Sequence, residues 1–183
     1  MMMVSDPFHK QVEEYGYIVF AVIYKSSADF ELLKKVLSRK FGEPVAESDE
    51  YSFSKFSDYY EAEMGRDLKR RIIVFDKAKL DANFLIKLKL FSLKLEKRFV
   101  KGCQQKRTVN IDPGFLTKEK FVLLSFKKKP RKIYLGKGVW ADLLLLSRKK
   151  HWETLPWTFP EFKDKSVQEF LLSVINDGKG AVK

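Results

Sequence analysis

With 183 residues the chain has the length of one domain, and its 45% hydrophobic and 14% aromatic content, 16 Phe included, supplies a packed core and excludes a disordered polymer. Lys and Arg number 36 against 24 Asp and Glu, a formal net charge of +12. No apolar run approaches the roughly 18 residues of a membrane-spanning helix, and the acid-bearing start from Met1 to Lys10 does not read as a secretory signal. The single cysteine, Cys103, rules out an internal disulfide and a multi-cysteine metal site, and reads as a passive thiol in a reducing cytoplasm. Only His9 and His151 are on hand for a nucleophilic triad or a His-based zinc site, and neither stands in a catalytic pattern.

The basic residues are 28 Lys and 8 Arg. Lysine dominance points to diffuse surface charge, because planar anion recognition is usually an arginine task. It is also the surface expected of a protein from a hot environment. A domain of this charge adheres to polyanions at low salt whatever its function, so charge alone decides little.

In chain order, Tyr17–Tyr24 is continuously apolar and β-rich, the pattern of a central strand covered on both faces. Ser26 and Asp29 then form a capping-box-like start to a helix whose face carries Phe30, Leu33, Leu37 and Phe41, with Gly42 as its stop. Residues 45–57 read as strand or loop, and Ile72–Phe75 as another buried strand. Asp81 caps a long helix with Phe84, Leu88, Phe91, Leu95 and Phe99 on one side and Lys87, Lys94 and Arg98 on the other, ended by Gly102. From residue 107 onward the pattern is strands and turns. Thr108–Ile111 is extended, Asp112-Pro113-Gly114 reads as a type II turn, and Phe121–Phe126, Lys132–Leu135 and Val139–Leu146 read as three strands. Gly136-Lys137-Gly138 links the last two as a hairpin, and a capping box of Ser166 and Glu169 opens a final amphipathic helix before Gly178. The order implies one α+β domain over 1–183, with an ordered core of about 15–176. Its sheet is mostly antiparallel with helices packed on one face, ferredoxin-like at its start and followed by a β-meander and a C-terminal helix.

No P-loop and no Gly-x-Gly-x-x-Gly follows the first strand, where Lys25-Ser26-Ser27-Ala28 stands instead. Ordinary nucleotide hydrolysis is thereby excluded. The polar content gathers in four segments: Asp58-Tyr59-Tyr60-x-x-Glu63-Met64-Gly65, Asn110-Ile111-Asp112-Pro113-Gly114-Phe115-Leu116, Ile133-Tyr134-Leu135-Gly136 and Pro156-Trp157-Thr158-Phe159-Pro160. Standing in this order, they resemble an uncharacterised prokaryotic family, domain-of-unknown-function family forty-four-sixteen, over about Tyr17 to Ile175. The resemblance implies no activity that carries over. The chain departs from the family pattern at Arg131, where a histidine is usual, at Asp142, where Glu is usual, and at Phe159-Pro160-Glu161, which replaces Tyr-Pro-Asp. Arg for His exchanges an acid/base group for a permanent cation.

Three functional readings follow. In the first, Asp58, Tyr60, Glu63, Asn110, Asp112, Lys118, Arg131, Asp142 and Trp157 form a polar pocket for a small anionic or phosphate-bearing ligand. Carboxylates there would suit a divalent cation such as Mg²⁺, and Lys118 and Arg131 would suit phosphate or carboxylate oxygens. The structural alternative makes Asp58 a helix cap, Asp112 an Asx-turn and the tyrosines core. In the second, Lys87, Lys94, Arg98 and Lys127–Lys132 track a nucleic-acid backbone, with Trp140, Trp152 or Trp157 stacking on bases. In the third, the protein is structural or partner-binding, with Leu155–Phe162 as an exposed docking patch.

Overall fold

A computed structural model describes residues 13–101, 106–149 and 151–177. Its first half runs β1 (Tyr15–Tyr24), α1 (Ser27–Phe41), the two-residue strands β2 (Ala46–Glu47) and β3 (Tyr51–Ser52), the one-turn α2 (Glu61–Met64), β4 (Lys69–Lys79) and α3 (Ala82–Glu96). A small hairpin of β5 (Val100–Lys101) and β6 (Lys106–Arg107) leads into β7 (Val109–Leu116), β8 (Lys120–Ser125), β9 (Ile133–Gly136), β10 (Val139–Arg148), β11 (His151–Thr154) and α4 (Lys165–Asp177). The large sheet is antiparallel throughout, in the order β11-β10-β8-β7-β1-β4-β2, with β3 also on β4 and β9 also on β10. Its β7-β1-β4-β2 part has the strand order of a ferredoxin-like unit, and β8, β10 and β11 extend it as a meander.

Both faces of β1 are covered, which is why its sequence is unbroken in hydrophobicity. Ile18, Phe20, Val22 and Tyr24 pack against α1 and α3. Tyr17, Val19 and Ala21 pack against Val167, Leu171 and Val174 of α4. Helices therefore lie on both faces, a correction to the single helical face expected, because α4 returns beneath the sheet. The hairpin at Gly136-Lys137-Gly138 forms with all three residues at positive φ.

Several local expectations are corrected. Ser26 is the N-cap of α1 but makes no side-chain cap bond; Asp29 is buried instead and accepts from Lys101 (2.6 Å) and the Thr108 hydroxyl (2.7 Å). Asp81 does cap α3, accepting from the Phe84 amide at 2.9 Å, but the helix closes at Glu96; Gly102, like Gly178, lies outside the described residues. At α4 it is Asp164 that accepts from the Ser166 amide and hydroxyl. β11, absent from the sequence reading, pairs with the end of β10.

The largest correction concerns Asp112-Pro113-Gly114, which is no turn. All three residues lie inside β7, opposite Ala21, Phe20 and Val19 of β1. The ladder from β7 to β8 runs from Leu116 only to Gly114, so the next rung would fall at Pro113, which has no amide to donate. The strands part there. One residue pair further, Ile111 turns its backbone to the same open edge, and α3 satisfies it: Glu96 accepts from the Ile111 amide at 2.7 Å and Lys89 donates to its carbonyl at 3.3 Å. Gly114 serves close approach rather than turning, since a Cβ there would stand 2.0 Å from the Val122 carbonyl oxygen. Gly114→Ala is accordingly expected to lower unfolding free energy by about 3 kcal/mol in urea titration, as overpacking against backbone does, and a loss under about 0.5 kcal/mol would contradict this geometry.

Candidate functional site

Two adjoining hollows open where β7 and β8 separate. The first encloses about 330 Å³ between the Phe53–Tyr60 segment, Lys127–Lys132 and the turn at Phe159–Glu161. The second, about 210 Å³, lies toward α3, with Lys89, Glu96, Asn110 and Asp142 among its walls. Tyr60, Asp112, Lys127, Lys132 and Phe159 line both.

Beneath the first hollow is a buried guanidinium. Arg70 of β4 is 1% exposed and stands 3.2 Å from Glu161 and 3.5 Å from Asp112. Register explains the meeting: Arg70 and Asn110 are both paired with Ile23 of β1 from its two sides, and Asp112 follows two residues along on the same face. Asn110 donates to Asp112 at 2.9 Å. Glu161, 2% exposed, enters from the 3₁₀ turn Pro160–Lys163. The approach of the charges is not matched by alignment, since Arg70 Nε and Nη2 and Glu161 Oε2 have no hydrogen-bond partner within the protein. Burial pushes the Glu161 carboxyl up to about 7 against the pull of Arg70, with the Asp112 charge adding to the rise. Burial likewise raises Tyr60, which stays a neutral hydroxyl, and Glu96.

A second cluster forms beside it. Asp142 of β10, 1% exposed, takes Arg131 Nε on one oxygen at 3.3 Å and Lys132 Nζ on the other at 3.1 Å. One carboxylate thus serves two cations. Lys127 sits 4.0 Å from the Tyr59 ring centroid and bonds its hydroxyl, and Lys129 has no acidic partner among the described residues. With Asp142 counted, Arg70, Lys127, Lys129, Arg131 and Lys132 face three carboxylates, Asp112, Asp142 and Glu161, an excess of two positive charges.

Of the residues singled out from sequence, Tyr60, Asn110, Asp112, Arg131 and Asp142 meet around these hollows. Four lie elsewhere. The Asp58 side chain is exposed and only its carbonyl is engaged, accepting from the Glu61 amide. Glu63 is exposed and paired with Arg107, which also holds Glu96. Lys118 is exposed in the β7–β8 turn, at a separate open depression where Lys120 pairs with Glu14. Trp157 is half-buried, donating from Nε1 to the Leu143 carbonyl at 2.8 Å. Its loop seals the core, with Thr158 and Phe162 buried, rather than standing out as a patch. Trp152 is buried too, and Trp140 packs on Tyr134.

Sequence reasoning missed Arg70, Glu161, Lys89 and Glu96, and took Lys132 only as part of the basic run Lys127–Lys132. A usable signal existed for two of them: Leu85, Lys89, Ser92 and Glu96 occupy one helical face at i, i+4, i+7 and i+11, and all four are buried. Among the described residues no three His, Cys, Asp or Glu side chains are grouped to hold a metal; Asp112 and Asp142 are engaged by cations instead.

A family model described as Domain of unknown function (DUF4416) matches residues 14–177. The chain belongs to this family. No curated protein and no solved structure matches it. Three of the segments that carry the likeness to DUF4416 contribute to the hollows, through Tyr59 and Tyr60, Asn110 and Asp112, and Phe159 and Pro160.

Because folded Glu161 keeps its proton to about 7 while the unfolded chain releases it near 4.5, the native state binds more protons between those values. Its contribution to stability is present below the unfolded value and is lost as pH rises through the folded one. Melting temperature is expected to fall between about pH 5 and about pH 8, and Glu161→Gln to make that fall smaller. An unchanged slope in the variant would contradict the buried placement of this carboxyl.

Proposed function

We propose that this DUF4416 protein binds a small anionic molecule, one bearing phosphate or carboxylate, in the hollow beside Arg70. The observation that carries this reading is the excess of cations over carboxylates around one partly enclosed space. Asp142 divides itself between Arg131 and Lys132, and Lys127 and Lys129 bring two further charges to the rim. An oxyanion placed there completes the charge balance and meets the Arg131 fork, the geometry suited to paired oxygens. The aromatic walls lower the polarity of the space beside Arg131 and so would strengthen its contact with an anion. Acid/base work would fall to Glu161, the carboxyl that titrates near neutrality beside the site, but the reading concerns binding and assigns no reaction.

The test is calorimetric titration with inorganic pyrophosphate at low salt. Arg131→Ala and Lys129→Ala are each expected to weaken binding roughly tenfold, the loss of one charge-assisted contact. Lys87→Ala, on the exposed face of α3, is expected to leave it unchanged. Equal weakening by Lys87→Ala would show diffuse attraction and overturn the reading. So would salt-steep binding of oligonucleotides that pyrophosphate does not displace, which would favour a polyanion surface.

A further inference from the structure

The interior of the first hollow differs in chemistry from its rim. At the rim stand Lys127, Lys129 and Arg131. Within, the walls are rings: Phe53 is 6% exposed, Tyr60 lies at 5.8 Å from it centroid to centroid, and Phe159 lines the same space. A bare inorganic anion uses the rim and leaves this aromatic interior unfilled. The interior also has a polar floor. Glu161 Oε2, part of a carboxyl able to donate or accept according to its protonation, and Arg70 Nε, a donor, are both buried, belong to residues lining the hollow, and lack partners in the protein. Buried polar atoms of this kind cost free energy until something bonds them.

Resting on the anion-binding reading above, we propose that the ligand of this hollow is an aromatic anion. Its flat ring lies among Phe53, Tyr60 and Phe159, a donor and an acceptor on the ring's inner edge meet Glu161 and Arg70, and its phosphate or carboxylate is held at the rim by Lys129 and Arg131. The dimensions agree: about 330 Å³ is a volume that seats one substituted ring with its anionic group. The chemistry agrees as well, since aromatic walls favour stacked or edge-on rings over saturated groups of the same bulk.

Four probes separate the parts of this proposal: inorganic phosphate, cyclohexyl phosphate, phenyl phosphate and 4-carbamoylphenyl phosphate, each titrated calorimetrically into the full chain. The expected order of affinity is the order given, with phenyl phosphate several-fold tighter than cyclohexyl phosphate and the carbamoyl group adding several-fold more. Tyr60→Leu is expected to remove the phenyl-over-cyclohexyl preference while inorganic phosphate binds as before, a ratio that general loss of folding would not change selectively. Phenyl and cyclohexyl phosphates binding alike would overturn the aromatic assignment and leave the anion reading standing. A carbamoyl group that gains nothing would show that buried water satisfies Glu161 and Arg70, and would overturn the polar-edge part. Failure of all four to bind would overturn the anion reading itself, and this inference with it.

Discussion

A guanidinium with almost no contact with solvent must find its counter-charge inside the protein, and Arg70 imposes that requirement on everything around it. Removing an ion from water costs several kcal/mol, which only a close and well-placed partner offsets. Asp112 and Glu161 fill that role from two other parts of the chain, β7 and the turn that precedes α4. The ion cluster thereby fixes which way β7 faces and where the Phe159–Glu161 segment can lie. It is also only partly satisfied in hydrogen bonds, and this unmet bonding is what the proposed ligand would complete.

The space above Arg70 exists because a ladder stops. Pro113 withholds the amide that the next β7–β8 rung needs, and Gly114 lets the two backbones close tightly just before the gap. A sheet opened in its interior would expose unpaired backbone; α3 prevents this by lending Glu96 and Lys89 to Ile111. Buried charge on α3 and buried charge under the hollow are thus two consequences of the same interruption. The lysine tract from Lys127 to Lys132 follows directly from the end of β8, so the strand that diverges also delivers the cations to the rim.

Where burial is uniform the sequence is readable. β1 announces itself by an unbroken apolar run, α3 by its stripe of Phe and Leu, and the β9–β10 hairpin by its glycines, because each local preference agrees with its final surroundings. Asp112-Pro113-Gly114 was misleading for a physical reason: the residues that end a strand ladder inside a sheet are the same ones that make a turn between strands. Arg70 and Glu161 were illegible because a charged residue in isolation reads as surface, and its burial depends on a partner far away in sequence. Tyr60, Asn110 and Asp112 stood out because polar and aromatic residues cluster in their segments, and Arg131 and Asp142 because they depart from the family pattern. Asp58 and Glu63 came from the same segment as Tyr60, but both are exposed, Asp58 before the single turn of helix and Glu63 on its outer side.

The dependence of this arrangement on the ion cluster is most directly measured by a double-mutant cycle in urea unfolding with Arg70→Met, Glu161→Gln and the pair. Arg70→Met alone is expected to cost about 3 kcal/mol or more, because it leaves the buried Glu161 without its cation, whereas the partly exposed Asp112 keeps Lys89. The pair is expected to cost less than the sum of the single changes by more than about 1 kcal/mol. Single effects that add to within about 0.5 kcal/mol would show that Arg70 and Glu161 do not support one another, and would contradict the account.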